Sequence, residues 1–154
     1  MISPEALAQR ALEFFEGVNR DVFRGDPAAN TRLKVEVVEE AMVDDTPTFV
    51  LITPWTLNGM AFPPDGRFPE SLAVGARECP VFRHEIQGLG EYCSVNLVPD
   101  VSRLQSPEAA RSAADALASA FREGVAAARA DLGVENPDRR SLLKGLRPSS
   151  NDED

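Results

Sequence analysis

Phe49-Val50-Leu51-Ile52-Thr53-Pro54-Trp55-Thr56-Leu57-Asn58 begins as a run of bulky apolar residues and stops at a proline, and the chain's single tryptophan follows. The length and residue types of the run are those of a strand buried on both faces. Pro54 lacks an N–H, which places it at the end of a paired strand or on a sheet edge. Trp55 is therefore displayed where regular pairing stops. A large amphipathic ring at such a place either plugs the end of the core or presents a recognition surface.

Outward from this run the period is two. Leu33, Val35 and Val37 alternate with Lys34 and Glu36, and an Asp44-Asp45-Thr46-Pro47 turn joins them to Phe49–Thr53 in a hairpin. Leu57–Phe62 is a third strand, ended by Pro63-Pro64-Asp65-Gly66. Val81–Ile86 and Tyr92–Val98 flank Gln87-Gly88-Leu89-Gly90 as a second hairpin. Leu72–Glu78 fits either a short helix or an extended strand.

Two helices bracket the strands, and the same tetrapeptide announces both. Ser3-Pro4-Glu5-Ala6 and Ser106-Pro107-Glu108-Ala109 each supply a serine cap, a proline at the first helical position and an acid in the first turn. The first helix carries Leu7, Ala11, Phe14, Val18 and Val22 on one stripe and fades near Arg24-Gly25-Asp26-Pro27. The second carries Ala110, Ala114, Leu117, Phe121, Val125, Ala128 and Leu132, with Arg111, Asp115, Ser119, Arg122 and Arg129 largely on the other side, and Gly133 closes it. Its alanine-rich face suits close packing on a sheet. The order helix, strands, helix predicts an α+β domain, an antiparallel β-sheet with an N-terminal helix and a longer C-terminal helix on one face.

The 154 residues fit one domain with a genuine core, and 43% of them are hydrophobic. No apolar run is long enough to span a bilayer, and the N-terminus shows no basic segment followed by an apolar one. Two cysteines do not make a disulfide scaffold. A reducing cytoplasm is the expected compartment. The net charge of −9 argues against nucleic acid, whose phosphates require a basic face. It suits a cationic partner such as a basic peptide segment, and it also serves solubility.

Catalytic and metal signatures are sparse. Cys79, His84 and Cys93 are the soft ligands, and they lack the paired spacing of a zinc site. His84 shares a strand face with Phe82 and Ile86 and reads as a core histidine. Cys93 alternates with Val95 and Leu97 and reads as a small buried hydrophobe. The alternative function is a small cytoplasmic thiol hydrolase using Cys93 and His84, although no oxyanion hole or orienting carboxylate accompanies them. Gly88-Leu89-Gly90 opens a strand, so it is no phosphate loop. Glu36, Glu39 and Glu40 are expected to meet solvent, split between faces. After Gly133 comes a polar stretch holding Arg139-Arg140-Ser141-Leu142-Leu143-Lys144-Gly145. A leucine pair beside arginines is how a tail docks on its own domain or on a partner.

Leu51-Ile52-Thr53-Pro54-Trp55 with Asn58 resembles the signature of the HybE-type assembly chaperones of [NiFe]-hydrogenase. Leu89-Gly90-Glu91-Tyr92 before a strand and an alanine-rich helix, and Arg139–Gly145 with its arginine pair, are similar to two further pieces of that family. The resemblance runs over nearly the whole chain. One departure is local: Val95 stands at a family cysteine position, and Cys93 lies two residues earlier.

The resemblance implies a cytoplasmic maturation factor, not an enzyme, with no cofactor and no metal of its own. The implied client is the hydrogenase small-subunit precursor before twin-arginine export, with the large subunit and other maturation proteins as further partners. Neither nucleic-acid binding nor membrane insertion is implied. Residues 1–145 form the expected single domain and 146–154 a disordered acidic tail. The partner-binding residues expected on this reading are Pro54, Trp55, Leu57, Asn58, Met60, Arg139 and Arg140. In it, Trp55, Leu57 and Met60 border an apolar groove and nearby acids meet the arginines of the signal.

Overall fold

In the computed structural model, which describes residues 2–23 and 25–133, helix α1 (Pro4–Val18) runs into a short π segment (Asn19–Phe23). Strands β1 (Glu36–Val43), β2 (Thr46–Ile52), β3 (Leu57–Ala61), β4 (Ser71–Val74), β5 (Arg77–Pro80), β6 (Phe82–Ile86) and β7 (Gly90–Val98) come next in the chain. A 3-10 turn (Val101–Arg103) leads to helix α2 (Pro107–Asp131). Both helices start where the serine caps predict. Ser3 Oγ accepts from the Ala6 N–H and Ser106 Oγ from the Ala109 N–H, each at 3.1 Å.

The five-stranded sheet has the order β1-β2-β3-β7-β6, antiparallel throughout. β4 and β5 form a separate hairpin, which settles the Leu72–Glu78 segment as extended. Thr46 and Pro47, expected in the turn, are the first residues of β2, and Asp44-Asp45 alone makes the turn with Asp44 at φ 54°. β1 starts at Glu36; Leu33 and Val35 are buried ahead of it without belonging to the strand.

The fold class is the expected α+β, with one correction. The two helices cover opposite faces of the sheet, not one. Phe49 and Leu51 of β2 pack with Leu7, Ala8 and Ala11 of α1. Val50 and Ile52 pack with Ala110, Ala114, Phe121 and Val125 of α2. Successive strand residues point to opposite faces, so a strand that is apolar at every position needs two covers. Every residue of β2 is buried. Complete burial of each large side chain contributes about 1.5–3 kcal/mol. Phe14, placed on the buried stripe of α1, is instead 37% exposed.

α2 lies close to its neighbours. A methyl group added at Gly59 of β3 would stand only 2.6 Å from the Phe121 ring, and one at Gly124 of α2 would overlap the Ala73 carbonyl oxygen of β4. α2 thus fits between the sheet and the β4–β5 hairpin only because both contacts are glycines. Ion pairs also tie it to β1. Arg111 Nη1 lies 2.8 Å from Glu36 Oε1, and Arg122 Nη1 lies 3.4 Å from Glu39 Oε1. These pairs correct the expectation that Glu36 and Glu39 are solvated and split between faces. The register shifts between Val38 and Ala41, with Glu39 at φ 60°, and this bulge turns Glu39 to the α2 side.

Among the described residues no helix is long and apolar enough to cross a membrane. Arg139, Arg140 and the 146–154 tail lie outside the described residues.

Candidate functional site

The Thr-Pro-Trp-Thr connection between β2 and β3 is a tightly bonded loop. Thr53 Oγ1 accepts from the backbone N–H groups of Trp55 and Thr56 at 3.2 and 2.9 Å. The Thr53 N–H donates to the Thr56 carbonyl at 2.9 Å. The Pro54 carbonyl accepts from the Asn30 N–H at 2.7 Å, and Asn30 Nδ2 donates to the carbonyls of Val101 and Leu104 at 2.8 and 2.9 Å. Thr56 Oγ1 donates to Asn58 Oδ1 at 2.8 Å. Pro54 is buried within this frame, and Trp55 and Asn58 are half-buried.

Leu57 and Met60 are 0% and 1% exposed. Leu57 belongs to the α2-side core and Met60 to the α1-side core. The surface groove expected from Trp55, Leu57 and Met60 therefore does not form: residues three apart in a strand face opposite ways, and both faces here are covered.

Cys93 and His84 do not form a nucleophile–base pair. Cys93 sits in the α2-side core and its neighbour Tyr92 in the α1-side core. His84 is the cross-strand partner of Tyr92 and stacks on it with ring centroids 4.7 Å apart. The two groups thus project from opposite faces of the sheet. His84 is half-buried on the outermost strand, not a core residue, and its Nε2 lies 3.0 Å from Ser94 Oγ. Burial lowers the His84 pKa and raises that of the Cys93 thiol, where the nearby Arg83 opposes the rise and Glu91 adds to it. Native-state thiol labelling is expected to leave Cys93 unmodified for hours while the unfolded chain reacts at once; fast single-site labelling at Cys93 would restore the thiol chemistry.

Two adjoining clefts open at the sheet end opposite the Trp55 loop. One, of ≈ 400 Å³, is apolar, lined by Ile2, Leu7, Pro47, Phe62, Pro63, Pro64 and Leu89 with Glu91 at its edge. The other, of ≈ 430 Å³, carries Asp65, Glu85 and Glu91 with Arg83, His84 and Tyr92, and the buried Cys93 reaches its lining without a hydrogen bond to His84. They share Pro63 and Glu91. A row of rings links them: Phe62 to Tyr92 at 5.4 Å and Tyr92 to His84 at 4.7 Å. Burial pushes the Tyr92 phenol up to about 12, so it stays neutral.

The charges of the second cleft are unevenly matched. Arg83 donates both of its Nη groups to the carbonyls of Gly66 and Phe68. Glu85 and Glu91 are direct cross-strand partners, an arrangement that repels. Neither is in an ion pair among the described residues. Such a site favours a cation, and a guanidinium suits a pair of carboxylates.

Arg129, itself outside the lining, holds Asp65 of this cleft in place. Placed on the outer side of α2 by its spacing, it is instead the largest fully buried side chain, at 0% exposed. Nη1 donates to Asp65 Oδ1 (2.6 Å) and to the Arg67 carbonyl (2.7 Å), and Nη2 to Asp45 Oδ2 (2.7 Å). Arg67 Nη2 returns a bond to the Leu132 carbonyl at 2.7 Å. The last turn of α2 is thereby clasped to the Asp65–Arg67 loop. Burial opposes ionisation of Asp65, but hydrogen bonds from Arg67 and Arg129 outweigh it and hold its pKa below the usual value. A long cation at the end of a helix next to Ala128 carried no sequence signal of burial; the acids that neutralise it are 64 and 84 residues away.

Among the described residues no group of three or more His, Cys, Asp or Glu could hold a metal ion. Residues 6–145 match the family model described as "[NiFe]-hydrogenase assembly, chaperone, HybE". No curated protein and no solved structure matches the chain.

Proposed function

The chain belongs to the HybE family of [NiFe]-hydrogenase assembly chaperones, and on that premise we propose that its client is the small-subunit precursor, held in the cytoplasm through its twin-arginine signal before export. A twin-arginine signal is basic first and apolar next. The observation that carries this reading is the pair of adjoining clefts, one lined by Glu85, Glu91 and Asp65 and the other by Phe62, Leu89, Leu7 and Pro47. The net charge of −9 adds attraction over distance. Pro54, Trp55 and Asn58, on a loop held rigid by Thr53 and Asn30, form a second contact at the other sheet end, with the subunit itself. Leu57 and Met60 act through the packing that supports this loop.

Purified full-length chain is expected to bind the precursor and not the same subunit lacking its signal. Affinity is expected to fall as salt rises from about 0.05 to about 0.5 M, because the pairs are at a surface. Glu85→Lys with Glu91→Lys is expected to weaken binding at least tenfold with unfolding unchanged, and equal affinity for both subunit forms overturns the reading. Trp55→Ala is expected to keep the fold and lose part of the affinity; unchanged affinity removes Trp55 from the contact surface.

A further inference from the structure

The clasped end of α2 is bonded to the loop that lines the acidic cleft. Leu132 is tied to Arg67, and Arg129 to Asp65. Asp65 and Gly66 are walls of the acidic cleft. Five residues lie between Gly133 and Arg139, and the six steps from one to the other reach up to roughly 20 Å at about 3.3–3.6 Å per residue. That span ends at Arg139-Arg140-Ser141-Leu142-Leu143-Lys144-Gly145. Within a chain of net charge −9, residues 139–147 carry four cations (Arg139, Arg140, Lys144, Arg147) and no carboxylate. Two adjacent arginines with a leucine pair just beyond them have the same order of chemistry as the clefts: acidic, then apolar.

We propose that Arg139–Gly145 is an internal ligand of these clefts, with Arg139 and Arg140 at Glu85 and Glu91 and with Leu142 and Leu143 against Phe62, Leu89 and Ile2. Three observations carry it. The cross-strand carboxylates Glu85 and Glu91 have no cation among the described residues. Glu91 borders both clefts, so a cation bound to it leaves the next apolar residues beside the apolar cleft. The segment is tethered close by, which gives it an effective concentration on the order of millimolar. A free client signal must then displace it. This regulatory consequence rests on the client reading above; the docking itself does not. A segment docked about nine-tenths of the time lowers the apparent client affinity about tenfold.

The test uses the full chain with a nitroxide on Ser141→Cys, read by NMR. The amide signals of Gly66 and of Leu89, Gly90 and Glu91 are expected to lose more than half their intensity, while those of the Trp55 loop keep theirs. Arg139→Glu with Arg140→Glu is expected to restore the lost intensity. Unaffected signals at the clefts, or broadening elsewhere, overturn the proposal. So does broadening seen only when the spin label and the observed amides are on different molecules, which identifies a second copy as the occupant. A synthetic peptide of two adjacent arginines followed by an apolar run is then titrated into both forms. It is expected to bind the doubly substituted chain about tenfold more tightly than the original. Broadening with equal binding to both forms overturns the competition. Broadening with no peptide binding by either form upholds the docking and removes the client reading instead.

Discussion

Arg129→Met is expected to destabilise the protein by about 3 kcal/mol, since removing one partner of a buried ionic cluster leaves the others uncompensated. Arg129 is wholly enclosed and serves three acceptors, Asp65, Asp45 and the Arg67 carbonyl. Methionine fills much of the volume but leaves two carboxylates facing each other across it. The partners are 33% and 41% exposed at their side chains, so water recovers part of the loss and the cost stays at the lower end of the range for such clusters. At this chain length the melting temperature is expected to fall by roughly 6–12 °C. Arg129→Lys is not expected to rescue it, because one ammonium cannot span the acceptors that a planar fork reaches.

The pH dependence has a definite sign. The Asp65 pKa is depressed in the fold, so its stabilising share is present above the unfolded value near 3.8 and is lost as pH falls through the folded value. The stability gap between wild type and Arg129→Met should therefore narrow below about pH 4. Urea unfolding at neutral pH and near pH 3 measures it, and a gap that stays constant or widens refutes the clasp as an ionic one.

Gly124→Ala is expected to destabilise by about 1–3 kcal/mol, against the usual sign for a helix interior. Replacing a helical glycine by alanine ordinarily gains up to about 1 kcal/mol. Here the added methyl meets the Ala73 carbonyl oxygen and the Leu72 side chain. The carbonyl is backbone and cannot rotate away, so α2 and the β4–β5 hairpin must separate, and overpacking of this kind outweighs the propensity gain. Gly17→Ala in α1 is the matched control. Its methyl meets only Arg20 Nη2, at 3.5 Å, so it should leave stability unchanged or raise it slightly. Opposite signs in paired unfolding curves are the expected result; two gains would mean that α2 is not held at this distance.

These two residues also mark where the sequence stops being readable. The Ser-Pro-Glu-Ala caps are local chemistry, completed within three residues, and both helices begin where the caps lie. The hairpins around Asp44-Asp45 and Gln87–Leu89 arise from turn residues between alternating runs. Phe49–Ile52 announces a strand covered on both faces, and that alone requires a cover on each side. The helices are nevertheless expected on one face, because alternation shows that two faces exist but not which helix crosses to which. The site is less legible. Spacing puts Arg129 outside and Glu36 and Glu39 in solvent, since a helical stripe or a strand parity describes one element and not its neighbour. The bulge at Glu39 breaks that parity.

The sequence by itself determined the set of elements, the doubly buried β2, the family signature around Thr53-Pro54-Trp55 and the basic, leucine-bearing segment at Arg139. Each depends on interactions spanning a few residues. Only the tertiary structure decided that Trp55 and the clefts occupy opposite ends of the sheet, that Leu57 and Met60 are interior, and that Arg129 closes on Asp45 and Asp65. Those outcomes depend on groups brought together across dozens of residues, where burial is set by what packs on top.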